Sequence, residues 1–269
     1  MTRSPLLTRL LVTVAAGLAL GLAATSAFAV TVSGHRGATA VPGVPENSAK
    51  AFYYAAAAGA AVLETDVRWT KDGTMVLLHD HTLDRTTRCS GPVEAITLKA
   101  LRTCAPAHVV PTFSEALSYA KTKGLLLNAE VKAVPGYPFT AAKAKAYVTQ
   151  ISAQAMTGRT VVSSFDTAVL AMVRSQDTGG LRYSLITDSR GAVSPDKARA
   201  QGTIYMPRYT TLNVDSVAAY HAAGLEIWAW GAANTEQEFA AMLALDVDVL
   251  VVDDPRRATA YLRSVASRH

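Results

Sequence analysis

Apolar residues in this chain fall into short, β-rich runs separated by longer stretches with helical spacing, and the two patterns alternate. Runs at Val30 to Ser33, Val62 to Asp66, Leu125 to Val131, Thr160 to Ser164, Leu181 to Thr187, Thr203 to Met206, Glu226 to Trp230 and Val247 to Val252 have the length and composition of buried strands. Between them, Ala49 to Gly59, Ala141 to Met156, Thr167 to Ser175, Val214 to Ala223 and Glu236 to Leu245 space their apolar residues to suit helices. Eight such strand and helix units in roughly 240 residues predict an α/β chain folded as a (β/α)8 TIM barrel. An open doubly wound sheet is the competing arrangement, but the glycine-rich phosphate loop expected after its first strand is missing.

One section interrupts the rhythm. His81 to Pro111 is too long for a loop between strand and helix, and it holds both cysteines. It predicts a small insertion on the barrel's top, after the second strand. No fixed-period repeat, low-complexity linker or shift in composition marks a second domain, so residues 30–269 are expected to form one barrel domain.

Composition and charge narrow the picture. With 50% hydrophobic and 17% charged residues over 269 positions, the chain has material for a large core. Residues 1–29 carry Arg3 and Arg9, then the apolar run Leu10 to Ala24, then Ala27-Phe28-Ala29, the three-part pattern of a secretory signal peptide cleaved after Ala29. An uncleaved membrane anchor is the rival, but Thr13, the many alanines and glycines and the Ala-x-Ala ending favour removal and no stable membrane insertion of the mature chain. Without Arg3 and Arg9 the mature chain has 24 basic residues against 21 acidic, a formal charge of +3. So small and scattered an excess argues against nucleic acid as a partner. Export makes a Cys89 to Cys104 disulfide the expected state of the two cysteines.

The chemistry gathers at strand ends. In Val62-Leu63-Glu64-Thr65-Asp66 the two acids point the same way, their α-carbons about 6.6 Å apart. Asp72-Gly73 reads as a hairpin turn, returning the chain through Thr74 to Leu78 so that His79 comes back beside them. His35 and Arg36 follow the first strand between Gly34 and Gly37, glycines read as permitting close approach to a ligand, and Glu130 with Lys132 ends the third. In a (β/α)8 barrel such residues converge on one site. Glu64, Asp66 and Glu130 suit one hard divalent cation, Ca2+ or Mg2+, while Arg36 and Lys132 suit a phosphate. Trp228 is assigned to a wall of the substrate pocket, whereas Arg208, which obeys the same positional rule, is not.

The ordered motifs His35-Arg36-Gly37, Pro45-Glu46-Asn47-Ser48, Glu64-Thr65-Asp66-Val67, Asp72-Gly73, His79-Asp80 with Leu83-x-Arg85-Thr86-Thr87, and Glu130-Val131-Lys132 resemble the glycerophosphodiester phosphodiesterase family. Ser164-Phe165, Trp228 and Asp253 with Pro255 extend the likeness. The resemblance implies a barrel with a small insertion, a divalent ion on Glu64, Asp66 and Glu130, and His35 with His79 as acid and base. Glu46 and Asn47 become supporting residues. It also implies a small-molecule glycerophosphodiester, cleaved to glycerol phosphate and an alcohol. The family commonly has Trp-Thr-Val-Asn where this chain reads Trp228-Ala229-Trp230-Gly231, removing the asparagine's polar contact and leaving Trp230 to reshape an apolar wall. A lysophospholipase D or sphingomyelinase D-like phospholipase on the same barrel is the alternative; it needs an apolar surface, for which Trp69 and Trp230 are the candidates.

Overall fold

A computed structural model describes residues 30–231 and 234–268. The proposed leader, residues 1–29, lies outside the described residues. In chain order the elements are β1 (Thr31–Gly34), α1 (Ala49–Ala57), β2 (Val62–Trp69), β3 (Met75–Leu77), α2 (Leu98–Leu101), α3 (Phe113–Lys123), β4 (Leu126–Val131), α4 (Ala141–Ala153), β5 (Thr160–Ser164), α5 (Thr167–Arg174), β6 (Arg182–Thr187), α6 (Pro195–Gln201), β7 (Ile204–Pro207), α7 (Val214–Ala222), β8 (Glu226–Trp230), α8 (Glu236–Ala244), β9 (Val249–Val252) and α9 (Pro255–Ala266). Eight of the strands are parallel and follow the order β1-β9-β8-β7-β6-β5-β4-β2, which the β1–β2 pairing closes into a barrel. This is the (β/α)8 architecture expected from the alternating pattern.

Two apolar layers hold it. The outward faces of the strands, such as Leu63, Val67, Leu127, Ala129, Val162, Tyr205 and Leu250, pack under the helices in the main core. Inside the barrel, Val62, Val161, Ile186, Ile204, Met206, Trp228, Val249 and Val251 form a second cluster that plugs the axis. Trp228, two residues before Trp230 on β8, belongs to this plug.

β2 runs beyond the barrel, and its last residues Val67 to Trp69 pair antiparallel with β3. The turn is tied to the insertion: Asp72 accepts from the Thr70 hydroxyl at 2.5 Å and from the Leu98 amide at 3.1 Å. Residues 81–111 pack on this hairpin through a separate cluster of Val76, Leu78, Leu83, Val93, Leu101 and Val110. Cys89 and Cys104 are joined there by a disulfide, their α-carbons 5.3 Å apart.

The insertion carries little helix and rests on few apolar side chains, so the cross-link has work that the barrel strands do not need. A bridge spanning 15 residues restrains the unfolded chain by about 3 kcal/mol. Replacing both cysteines by alanine should therefore lower the unfolding midpoint by roughly 6 to 12 °C, measured by scanning calorimetry, and reductant should do the same to the wild type only.

Candidate active site

Alternate residues on each strand enter the barrel, and the inward series of four neighbouring strands end at the C-terminal mouth in charged groups. β1 delivers His35, β2 delivers Glu64 and Asp66, β4 delivers Glu130 and Lys132, and β9 delivers Asp253. Parallel register sets Asp66 beside Glu130 and Glu64 beside Asn128. One oxygen from each of Glu64, Asp66 and Glu130 consequently lies within 4.8 Å of the others, and all three side chains are buried.

Cations enclose these acids. Lys132 Nζ lies 3.0 Å from Asp66 Oδ1 and 2.6 Å from Glu130 Oε1. The Arg36 amide donates to Glu64 Oε2 at 2.7 Å, and its guanidinium reaches Asp66 Oδ2 at 3.4 Å and Glu46 Oε1 at 3.1 Å. Asn47 donates to Asp66 Oδ2 at 2.8 Å while its own carbonyl oxygen accepts from the Thr65 hydroxyl and the Asp66 amide. Arg36 and Asn47 both hold left-handed backbones, with φ of 53° and 55°, a conformation that residues with a Cβ adopt rarely and that clusters at functional sites. The flanking glycines serve packing rather than ligand approach. A Cβ on Gly34 would stand 2.6 Å from the Gly37 carbonyl oxygen, and one on Gly37 would stand 2.7 Å from Ala51 of α1.

Two imidazoles face the same cleft, each with a carboxylate behind it. His35 Nδ1 lies 2.7 Å from Asp253 Oδ1, and His79 Nδ1 lies 2.8 Å from Asp80 Oδ1. A carboxylate at Nδ1 holds the proton there and leaves Nε2 to act. The supports differ in strength. Asp80 also accepts from Arg85 Nε at 2.6 Å, and Arg85 forks onto Glu46 at 2.6 and 2.9 Å, so part of the charge on Asp80 is already spent. Asp253 meets instead the neutral amide of Asn234, at 3.4 Å, and the Asn234 carbonyl oxygen accepts from the amides of Asp253 and Asp254.

The titrations follow from this geometry. Burial pulls both histidines toward the neutral form; at His35 the Asp253 hydrogen bond and Glu64 outweigh it and the pKa is raised, whereas at His79 burial prevails and the pKa is lowered. Burial together with Asp66 pushes Glu64 up to about 7, and burial pushes Glu130 up to about 8 despite Lys132. Asp66 goes the other way: burial is outweighed by Lys132 and Arg36, which hold it well below the usual carboxylate range.

Behind His79 lies a support that local sequence does not reveal. Arg68, the next inward position on β2, forks onto the His79 carbonyl oxygen at 3.0 and 2.6 Å. Its guanidinium is backed by Glu94 of the insertion at 3.5 Å, and Glu94 also meets His81 Nδ1 at 3.1 Å. The disulfide-closed loop thus holds the acid that fixes the arginine that fixes the chain at His79. The only prior signal was the inward parity of Arg68 with Glu64 and Asp66.

The far wall of the cleft is apolar: Phe165, Ile186, Met206, Trp230 and Val251 complete the lining begun by His35, Arg36, Glu64, His79, Glu130 and Lys132. Trp228 is not among them. It is 1% exposed within the barrel plug, with Nε1 directed to Glu226 Oε2 at 3.2 Å, toward the opposite end. The assignment of Trp228 to the substrate wall is therefore corrected to Trp230, one pleat repeat nearer the mouth. Trp69 is likewise buried, packed on Phe139 and Tyr147 in the outer core, and offers no surface to a lipid.

Comparison with known proteins agrees with this arrangement. A model of the glycerophosphoryl diester phosphodiesterase family matches residues 35–257. The chain belongs to that family. It is accordingly a phosphoric diester hydrolase on a TIM barrel, and the matched span takes in every inward-facing charged residue from His35 to Asp253. It is 28% identical over 236 residues to a glycerophosphodiester phosphodiesterase of Caldanaerobacter subterraneus subsp. tengcongensis, covering 83% of this chain and 94% of the relative. To one from Bacillus altitudinis it is 29% identical over 231 residues, covering 80% and 91%. In fold, it is similar to the crystal structure of an Agrobacterium tumefaciens glycerophosphodiester phosphodiesterase, with TM-score 0.74, 24% identity and coverage of 86% and 99%. An Oleispira antarctica phosphodiesterase, solved in complex with the product sn-glycerol-3-phosphate, superposes with TM-score 0.76 at 21% identity, covering 88% and 98%.

The acid cluster fits a divalent cation. Its hard oxygen donors lie within 4.8 Å of one another, and burial holds two of the three acids, Glu64 and Glu130, at raised pKa. The consequence for stability has a definite sign. Glu64 and Glu130 titrate higher in the folded chain than at the ordinary value of 4.5, so their contribution is complete below about pH 4.5 and lost as pH rises through 7 to 8. Asp66 has the opposite sign and matters only in acid. In chelator, the unfolding midpoint should fall between about pH 5 and pH 8; Mg2+ or Ca2+ should raise it most at the upper end, as scanning fluorimetry would read. A midpoint that is flat with pH, and unmoved by either ion, would contradict the balance described.

Proposed function

We propose that the chain hydrolyses glycerophosphodiesters, such as glycerophosphocholine, to glycerol 3-phosphate and an alcohol, with one divalent ion, Ca2+ or Mg2+, held by Glu64, Asp66 and Glu130. One observation carries the reading. Two carboxylate-backed imidazoles, His35 and His79, face a single cleft that also contains the acid cluster, Arg36 and Lys132. The product-bound phosphodiesterase of Oleispira antarctica, which shares the fold, is consistent with a glycerol phosphate occupant.

When bound, the cation withdraws charge from the phosphoryl oxygens. Arg36 and Lys132 supply further positive charge at the same place, Arg36 being pinned by Glu46 and by its own amide. His79, neutral because burial lowers its pKa, takes the proton from the glycerol 2-hydroxyl as that oxygen attacks phosphorus. His35, whose pKa the Asp253 hydrogen bond and Glu64 raise against burial, gives its proton to the departing alcohol oxygen as the P–O bond breaks. This leaves a cyclic 1,2-phosphate, formed with the effective concentration of an intramolecular reaction. Water then opens the ring, with His35 taking its proton and His79 returning one to the 2-oxygen.

Turnover of glycerophosphocholine, glycerophosphoethanolamine, glycerophosphoglycerol and a lysophospholipid, each with and without chelator, tests the reading. Activity on the lysolipid alone would favour the phospholipase D alternative. His35→Ala and His79→Ala should each lower kcat on the order of a hundredfold or more while leaving metal affinity nearly intact. A 2-deoxy glycerophosphodiester should be inert; hydrolysis at the natural rate would replace ring formation by direct attack of water.

We further propose export, with cleavage after Ala29. The support is the leader pattern of residues 1–29 and a disulfide that suits an oxidising compartment. Intact mass of the protein from culture medium should correspond to a first residue Val30, and retention of residues 1–29 in a cell-bound product would refute it.

A further inference from the structure

The charged half of the cleft, from β1 to β4, accounts for the phosphoryl group and the proton transfers. The half from β5 to β9 is lined by Phe165, Ile186, Met206, Trp230 and Val251, which leaves that side for the departing alcohol. Two aromatic rings at the mouth of a phosphodiesterase cleft would ordinarily suggest a cage for a quaternary ammonium. Here each ring already faces a cation of the protein. Lys132 Nζ lies 5.7 Å from the centre of Phe165, and the Arg208 guanidinium lies 5.5 Å from the centre of Trp230, the rings themselves meeting edge to face at 6.0 Å.

Arg208 differs from Lys132 in having no carboxylate. It continues the inward series Ile204 and Met206 of β7, and bridges to Trp230 of β8 at the rim. No ion pair or side-chain hydrogen bond to it occurs among the described residues, and it is only partly exposed. Its position is nevertheless built. Trp230 is locked by Nε1 donating to the Thr187 and Met206 carbonyl oxygens at 3.1 and 3.2 Å. Gly231, at φ +87°, leaves the space beside it, since a Cβ there would stand 3.1 to 3.3 Å from Arg208 Cγ, Nη1 and Cζ. The acids that follow the neighbouring strands are engaged elsewhere: Asp188 with Arg190, and Asp253 with His35. A guanidinium placed over a fixed indole, with no acid partner among the described residues, is a preorganised site for an anion.

Resting on the phosphodiesterase reading of this cleft, we propose that Arg208, seated on Trp230 in the space left by Gly231, binds a second negative charge on the alcohol side of the substrate. The preferred diesters then carry an anionic alcohol, such as a polyol phosphate, rather than choline. The path suits this, because His35 on β1 is the histidine beside β9, and β9 is followed by β8 and β7. An alcohol departing past His35 runs over Val251 and Trp230 toward Arg208.

The test compares kcat/KM for three diesters in the metal-loaded enzyme: glycerophosphoglycerol, the same compound with a terminal phosphate, and glycerophosphocholine. The wild type should favour the phosphorylated compound over the neutral one by about tenfold, a preference that shrinks as salt is raised. Arg208→Gln should bring that ratio close to one, and Arg208→Lys, which keeps the charge without the planar fork, should retain part of it. Gly231→Ala should act in the same direction by displacing the guanidinium. A ratio near one in the wild type, a choline preference, or an unchanged ratio in Arg208→Gln and Gly231→Ala would overturn the subsite while leaving the phosphodiesterase reading standing. Failure to turn over any of the three would sink both.

Discussion

The structure depends on one constraint, the presence of three carboxylates in a place that water barely reaches. Glu64, Asp66 and Glu130 are each at most 6% exposed, and burying like charges together is among the costliest arrangements a fold can contain unless each is matched. Much of the surrounding chain answers that cost. The loop after β1 turns left-handed at Arg36 to bring one backbone amide onto Glu64, and left-handed again at Asn47 to bring one side-chain amide onto Asp66. Lys132 spans Asp66 and Glu130 from the end of β4. What results is a set of three hard oxygen donors close enough together to suit a cation.

The same accounting explains why the site is divided. Charged groups crowd the strand ends from β1 to β4 and β9, where they can neutralise one another through a continuous chain of contacts running from Asp66 through Arg36, Glu46 and Arg85 to Asp80. The opposite strands carry apolar groups there, with the Arg208 guanidinium over the Trp230 indole and no acid partner among the described residues. A diester laid across the cleft therefore meets strong electrostatics at phosphorus and weaker, shape-dependent contacts beyond it. Charge and apolar surface thus fall to different strands of one barrel.

The insertion is more than a decoration of the hairpin. Its disulfide and small apolar cluster hold Glu94, Glu94 holds Arg68, and Arg68 grips the carbonyl of His79. Anchoring the His79 carbonyl oxygen holds the imidazole in the cleft beside the acids.

Strand and helix periodicity, which is local, specified the barrel: all eight parallel strands fall where apolar β-rich runs stand, and a spacing of two sufficed to put Glu64 with Asp66 and Glu130 with Lys132 on one face. Pleat parity also puts Arg68, Arg208 and Asp253 on the inward face, but it says nothing of depth. How far a residue stands from the mouth depends on the stagger between neighbouring strands, which only the closed sheet sets. For that reason Trp228 was expected in the substrate wall and lies in the plug, while Trp230, two residues on, forms the wall. Pairings across large sequence distances were equally illegible, because nothing near His35 names Asp253, nothing near Arg68 names Glu94, and nothing near Glu46 names Arg85. Those partners are chosen by barrel closure and by the fold of the insertion. The sequence by itself determined which residues carry charge and which way they face; the tertiary structure decided which charges meet, because Coulomb and hydrogen-bond energies depend on separations of a few ångströms that local pattern does not encode.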